Sequence, residues 1–496
     1  MVHGIAQHAQ QVPDQVAITD GTTSWTWAQL NDVLNRTTNW LLAQDIQPDQ
    51  RVAVLGENSV HTALAHLAVT YAGLSAVPVN FHLTADEVGY ILRDAAVHTV
   101  LCSARTAPTA RAAAVEVQVV DLTAGVPDAP NDEPPTTIRP AKPLYYTSGT
   151  TGRPKGVTLP DQMFPGGANM IEHVDLIAAS PVRANGRHLV VAPMHHTGPM
   201  TGVRGLMAGT PLVIMQRFNA GQVLTAIEAE RIEATMMVPT HFSRLLALPK
   251  HIRDRYDVSS ITRIVHTGAA CPVHVKRAMI EWFGPVLLEA YGSTEAGTVT
   301  MIDSAEWLAH PGSVGRAMPG YELTIRAEDG TVLPPGQEGL VCVRSLTGAH
   351  PRYHGDPEKT RRSYIAEDVF VIGEIGYLDP DGYLYLTDRA TDMVVSGGVN
   401  VYPAESEAVL RTHPAVADVA VIGIPHADLG EQLVALVRPT AGAQVNAAEL
   451  VTWTRDRLAH YKCPAFIEFV GSDLRSAMGK LNKRKLRDAY LSVRSS

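Results

Sequence analysis

The chain has 496 residues, with 41 Lys and Arg against 50 Asp and Glu, and a formal charge of −9. This mildly acidic balance leaves no electrostatic footprint for nucleic acid and no general attraction to anionic lipid. With 45% hydrophobic and 18% charged residues the composition excludes a disordered chain, and the length requires more than one domain. The four cysteines, Cys102, Cys271, Cys342 and Cys463, are scattered, so neither a disulfide framework nor a zinc site is expected. The N-terminus lacks a basic segment leading into an apolar run, and no apolar stretch approaches membrane-spanning length. The expectation is a soluble protein of the reducing cytoplasm with no membrane span.

Between residues 52 and 102 short apolar runs alternate with helical patterns. Val52–Gly56 reads as a strand, His61–Tyr71 as a helix, Ser75–Val79 as a strand, Thr84–Arg93 as a helix and His98–Cys102 as a strand. Thr84 with Glu87 three residues on is a capping-box pattern. This βαβ rhythm implies a largely parallel sheet. Residues 125–143, rich in proline and polar residues, read as a connector. The rhythm then resumes, with strands expected near 188–192, 211–215, 234–238, 262–266 and 286–290 and helices at 220–231, 240–248 and 272–282. From about 312 to 388 short strands separated by turns such as Glu328-Asp329-Gly330 and Asp379-Pro380-Asp381-Gly382 suggest an antiparallel subdomain. After Asp388 a small α+β unit follows, with helices near 403–411, 446–458 and 481–490 and strands near 416–424 and 432–438. A boundary near 389–393 gives domains 1–389 and 390–496. The expected class is α/β: a large N-terminal domain with mixed and parallel sheets and an antiparallel subdomain, then a small α+β C-terminal domain.

The sharpest local signal is Tyr146-Thr147-Ser148-Gly149-Thr150-Thr151-Gly152-Arg153-Pro154-Lys155-Gly156, which follows an apolar run. Glycines let backbone amides approach phosphate oxygens, hydroxyls add donors and Lys155 adds a point charge. The order does not fit the Walker A pattern. Tyr291-Gly292-Ser293-Thr294-Glu295 follows Val286-Leu287-Leu288, a strand-then-turn position suited to a ligand. A threonine hydroxyl beside a carboxylate suits a phosphate with a hard cation such as Mg2+. Thr267-Gly268-Ala269-Ala270 reads equally as a flat ring's seat or a tight core turn. Pro193-Met194-His195-His196-Thr197-Gly198 holds paired histidines, but no third ligand has metal-site spacing.

These motifs, in this order, resemble the adenylate-forming acyl-CoA synthetases, relatives of luciferases and peptide-synthetase adenylation domains. The resemblance runs from Pro13-Asp14 to the last helix. It implies that Thr147, Ser148, Gly149, Thr150, Thr151, Gly152 and Lys155 hold the β- and γ-phosphates of ATP. By the same resemblance Gly268, Ala269, Ala270 and Tyr291 frame the adenine, and Gly292, Ser293 and Thr294 meet the α-phosphate region. Glu295, with Thr147, would hold Mg2+, and His196 would position the carboxylate. Glu374, in Gly373-Glu374-Ile375-Gly376-Tyr377, stands where the family has the ribose-binding Asp, and Arg389 would contact ribose or phosphate. Thr391 occupies a hinge position that is usually Asp or Lys. Gly397 and Gly398 resemble the loop that lines the pantetheine tunnel, and Lys480, in Ser476-Ala477-Met478-Gly479-Lys480, resembles the adenylation lysine. Lys483, Arg484, Lys485 and Arg487 read as a solvated basic helix face, and Lys462 as a candidate for the 3′-phosphate of coenzyme A.

The implied activity is ATP-dependent formation of an acyl-adenylate, with pyrophosphate released, then transfer to coenzyme A by a small domain that rotates about its hinge. Thr391 and Glu374 keep open an amide synthetase in which an amine attacks the adenylate. A non-catalytic nucleotide-binding relative is opposed by Lys155, Glu295 and Lys480, and a carrier-linked domain or a luciferase-type oxygenase ranks lower. The acid pocket should draw on Thr197–Arg204, His241, His266–Ala270 and Thr298–Met301, a set implying a roomy, mainly apolar cavity and a bulky apolar carboxylic acid. A monomer or homodimer is expected.

Overall fold

The structure, a computed structural model, describes residues 4–494 except 48, 115, 148–153, 162, 184, 270, 328, 349, 390–392, 441, 472–473 and 475–482. Its largest sheet has nine strands, in the order Arg316–Ala317, Gly297–Asp303, Leu287–Ser293, Arg263–His266, Ala234–Met237, His188–Val190, Leu212–Ile214, Val16–Thr19 and Ser24–Thr26. The strands from Leu287–Ser293 through Val16–Thr19 are parallel. The sheet expected to be parallel thus closes with antiparallel strands at both edges.

The apolar runs of the central strands are continuous because helices cover both faces. Successive residues alternate between two cores: Leu189, Val191, Val213 and Met215 enter one, while Val190, Leu212 and Ile214 enter the other. The first core is closed by Ala220–Glu230, Pro239–Leu246 and Val273–Phe283, the second by Trp27–Leu42, Val60–Tyr71 and Met200–Met207. A second, all-parallel sheet holds Ala76–Pro78, Arg51–Leu55, Val97–Cys102 and Gln118–Asp121. The Thr84–Glu87 capping box is present, and Thr26–Gln29 forms another at the helix Trp27–Leu42.

The antiparallel subdomain pairs Tyr321–Arg326, Gly339–Ser345, Val369–Leu378 and Tyr364–Ala366, with Leu384–Arg389 added to Val369–Leu378. Its turn at Asp379–Gly382 is closed by the Gly382 N–H donating to the Asp379 carbonyl, 3.0 Å. The C-terminal sheet runs Val399–Val401, Val394–Ser396, Gly430–Pro439 and Val416–His426, with Phe466–Phe469 parallel to Gly430–Pro439. Helices Pro403–Arg411, Ala447–Arg455 and Lys483–Arg494 accompany it. Two residues of the expected solvated basic face are instead engaged: Lys483 pairs with Glu407 at 2.7 Å and Arg487 with Glu431 at 3.0 Å. The reason is that the last helix lies on Val416–His426, beside the acids of its own unit. No described helix is long and apolar enough to cross a membrane.

Lys462 has a different setting from that of a surface phosphate ligand. Its side chain is 3% exposed, and Nζ lies 2.8 Å from Glu87 and 2.7 Å from Glu405. Burial works against its charge, but Tyr461, Glu405 and Glu87 outweigh burial and raise the ammonium above its ordinary value. Glu87 also caps its own helix and accepts the Ala459 N–H at 3.1 Å. Asn80 adds a hydrogen bond to the Tyr461 hydroxyl, 3.1 Å. One buried lysine therefore ties the second sheet's helix to the C-terminal unit. Replacing it by methionine leaves two buried carboxylates facing each other, a loss of about 3–5 kcal/mol. Lys462→Met should lower the melting temperature by several degrees, and adding Glu87→Gln with Glu405→Gln should recover part of it. An unchanged melting temperature in Lys462→Met would show that the triad carries no net stability.

Candidate active site

Leu144–Thr147 and Lys155–Thr158 form an antiparallel hairpin in which Thr147 pairs with Lys155. The hairpin therefore holds together the two ends of the glycine-rich loop, whose residues Ser148, Gly149, Thr150, Thr151 and Gly152 lie outside the described set. Across 148 positions of sequence, the Thr147 hydroxyl donates to Glu295 Oε1 at 3.4 Å. Lys155 Nζ lies 3.3 Å from Asp356. The Lys359 N–H and then Lys155 hold the Asp356 carboxyl below its usual range.

Three residues here carried no sequence signal: Tyr353, Asp356 and Lys359. They reach the hairpin because the His354 N–H donates to the Gly156 carbonyl at 2.7 Å and Tyr353 bridges Val157. Burial, then Glu295, raises the Tyr353 phenol above its ordinary value, so it stays protonated and donates to Glu295. The Lys359 ammonium sits 3.8 Å from the centre of the Tyr353 ring. Burial lowers its pKa, and Glu295 and Asp356 oppose that. A polar loop inside an antiparallel subdomain gives no local hint of such a position.

Tyr291-Gly292-Ser293 was expected in a turn but lies within the strand Leu287–Ser293, paired with Gly297–Asp303. The turn is Thr294–Ala296, closed by the Ala296 N–H donating to Ser293 Oγ at 3.0 Å. A Cβ on Gly292 would fall 1.8 Å from the Gly297 carbonyl oxygen, so the register shift there admits only glycine. The Tyr291 hydroxyl donates to Glu374 at 3.0 Å, and Glu374 pairs in register with Arg389. The adenine-type and ribose-type segments are thus joined directly. Gly268 and Ala269 follow the strand end at His266, while Ala270 is outside the described residues.

His195 and His196 lie ring to ring at 4.3 Å, and Phe81 meets His195 edge-on at 5.5 Å. His196 Nε2 is inaccessible and has no hydrogen-bond partner among the described residues. Burial and the neighbouring His82 push its imidazole down to about 4. In the expected acid-pocket set, Thr300 is fully buried and donates to the Val314 carbonyl, and His266 is fully buried against Phe242. Both belong to the core because their strands are covered on that side. His241 stacks on Phe218 at 4.2 Å.

Gly397 and Gly398 turn the hairpin Val394–Ser396 to Val399–Val401 with φ of +60° and +84°. A Cβ on Gly398 would meet Val238 at 2.8 Å, so this hairpin touches the large domain beside the helix Pro239–Leu246. Arg244 reinforces the contact with paired bonds to Asp428, both 3.0 Å. Lys480 and Thr391 lie outside the described residues.

A phosphate-type hairpin, a carboxylate facing its hydroxyl and a glycine hairpin from a second unit define a class of two-part nucleotide-handling α/β enzymes. The AMP-binding enzyme family model matches residues 5–350, and the AMP-binding enzyme C-terminal domain model matches 405–480. The chain belongs to this adenylate-forming enzyme family. It is 32% identical over 490 residues to a feruloyl-CoA synthase of Amycolatopsis sp, covering 98% of each chain. It is similar to the structure of the amide bond synthetase McbA from Marinactinospora thermotolerans, with TM-score 0.82 and 30% identity over 98% of this chain and 99% of that one. A double mutant of the Bacillus subtilis o-succinylbenzoate CoA synthetase MenE, bound to its product analogue OSB-NCoA, superposes with TM-score 0.83 at 26% identity, covering 98% of each chain. The same enzyme with its acyl-adenylate OSB-AMP gives 0.66, covering 98% of this chain and 99% of that one.

Burial also lowers His66 to about 3, His188 to about 4 and His241 to about 3, alongside His196. Unfolded imidazoles titrate near 6.5. Below that pH the unfolded chain binds more protons than the folded one, so stability falls as pH drops from about 6.5 toward about 4. Thermal melts should show a steep decrease in melting temperature over that window and little change from pH 7 to 8. A flat profile between pH 6.5 and 4.5 would contradict this charge state.

Proposed function

We propose that the protein activates a carboxylic acid as its acyl-adenylate, with release of pyrophosphate, and then transfers the acyl group to the thiol of coenzyme A. The contact between Thr147 and Glu295 carries this reading, since it joins the phosphate-type hairpin to a carboxylate 148 positions away. In the first step a carboxylate oxygen attacks the α-phosphorus of ATP and the bond to pyrophosphate breaks. In the second the thiol attacks the carbonyl carbon, and AMP leaves with the shared oxygen. Thr147, Lys155 and the loop between them would hold the leaving pyrophosphate. Glu295 with Thr147 offers hard oxygen donors that fit Mg2+, which when bound neutralises phosphate charge. Tyr353 and Lys359 would orient the Glu295 carboxylate. Tyr291, Gly268 and Ala269 would frame adenine, with Glu374 and Arg389 at the ribose.

His196, uncharged in the working pH range, would guide the acid rather than pair with it. Lys480 would neutralise the oxygens at the reacting centre in the first step. A boundary at 389/390 would let residues 390–496 turn as a lid, with Gly397 and Gly398 giving a thin thiol arm room beside Val238. The closer likeness to the MenE complex with a CoA product analogue than to its acyl-adenylate complex supports a lid standing in the second-step arrangement. The likeness to McbA supports one alternative, attack by an amine on the same adenylate. The acid we infer has a sizeable apolar body, and the enzyme works in the cytoplasm.

Acid-dependent pyrophosphate release from Mg·ATP across an acid panel, with no acceptor, coenzyme A or a simple amine, tests this. Coenzyme A should accelerate turnover with thioester accumulating, and both Lys480→Ala and Glu295→Gln should reduce the first step by at least about 100-fold. Acceleration by the amine alone would replace thioester formation with amide synthesis. Pyrophosphate release undiminished in Lys480→Ala would remove that lysine from the first step.

A further inference from the structure

The C-terminal unit meets the large domain at the glycine hairpin, where a Cβ on Gly398 would fall 2.8 Å from Val238, and again at the short turn His460–Lys462. That turn sits on the helix Ala85–Asp94 of the second sheet, and Ala459 and Tyr461 pack on the core there. Lys462 is fastened to its own unit at both ends. The Ser406 hydroxyl donates to its carbonyl, and its ammonium lies 2.7 Å from Glu405. Glu405 and Ser406 belong to the helix Pro403–Arg411, which begins just after the hairpin strand Val399–Val401. Turn, helix and glycine hairpin are thereby linked, so what seats the turn also seats the hairpin.

Glu87 approaches from the large domain, and its two oxygens divide their partners. Oε2 accepts the Thr84 N–H at 2.9 Å and the Thr84 hydroxyl at 3.0 Å, closing its own helix, and the Ala459 N–H at 3.1 Å. Oε1 accepts the Lys462 ammonium at 2.8 Å. The bond is charge-assisted and formed away from water, which makes it strong. It is also balanced for release. Without Glu87, Lys462 and Glu405 still neutralise each other inside the C-terminal unit, and the acid left on the large domain regains water. Parting therefore strands no bare buried charge, the usual obstacle to opening a buried ion pair.

We propose that Glu87 is a positioning residue for the acceptor step: by taking the Lys462–Glu405 pair it holds the lid where Gly397 and Gly398 lie beside Val238. This rests on the two-step reading above and adds the group that sets the lid's resting place. Glu87 stands outside the site residues assigned above and acts through the lid. The adenylate-forming step, which needs the lid turned to bring Lys480 to the reacting centre, gains nothing from it.

The test variant is Glu87→Gln. Its amide oxygen keeps the Thr84 cap, since glutamine serves at this position of a capping box, while its NH2 group faces the ammonium in place of Oε1. Single-turnover quench separates two half-reactions: pyrophosphate release from Mg·ATP with the acid, and consumption of preformed adenylate by whichever acceptor wild type uses. Amide hydrogen exchange is followed in parallel on the ligand-free full chain. Glu87→Gln should slow adenylate consumption by at least about 10-fold and leave pyrophosphate release within about 2-fold of wild type. Exchange should quicken in 394–401 and 459–463 and stay unchanged in 85–94. A merely structural role would slow both half-reactions together and expose 85–94, and that result overturns the proposal. So does an unchanged rate of adenylate consumption, since the apolar packing of Ala459 and Tyr461 would then seat the lid by itself. If no acid releases pyrophosphate the two-step reading fails separately, and unchanged exchange in 394–401 still overturns this one.

Discussion

Parallel strands deliver all their carboxyl ends to one side of a sheet, and the site depends on that constraint. The strands Ala234–Met237, Arg263–His266 and Leu287–Ser293 end side by side, so Val238, Gly268 and Tyr291 are neighbours although far apart in sequence. The same edge then turns antiparallel at Gly292, where the lack of a Cβ lets Gly297 close in. That reversal aims Glu295 back at Thr147. Loss of any of these adjacencies would separate the phosphate-type hairpin from its carboxylate.

The second constraint is how the C-terminal unit is held. Among the described residues its contacts with the large domain include the Glu87–Lys462–Glu405 triad, Asn80 with Tyr461, Arg244 with Asp428, and the packing of Ala459 and Tyr461 on the core of the second sheet. The triad is deeply buried, and Glu87 serves it while capping its own helix. Polar interdomain contacts of this sort suit units that exchange partners, because separated charges regain water. The glycine hairpin at Gly397 and Gly398 reaches Val238 in this arrangement. The lid movement proposed above would draw on an attachment of this kind.

Much of this was legible in the chain because the signals are local. The βαβ alternation follows from apolar runs, and Thr84 with Glu87 announces a helix start by its own chemistry. Family membership followed from the order of the motifs rather than from any one of them. What escaped sequence reading is non-local. Tyr353 and Lys359 enter the site through a backbone bond to Gly156, and Tyr291 spends its hydroxyl on Glu374. Lys462 was read as a candidate phosphate ligand and Lys483 as a surface cation, because nothing nearby in sequence reveals the acids that fold against them.

The central claim is that an acid oxygen bonds to the α-phosphorus of ATP at the site joining Thr147 and Glu295. Following 18O from a doubly labelled carboxylate into products, by 31P spectroscopy and mass, tests it most directly. The account predicts AMP carrying one labelled oxygen and an acyl product retaining the other. Unlabelled AMP, or ADP formed with the label in inorganic phosphate, would contradict it and point to an acyl-phosphate route instead.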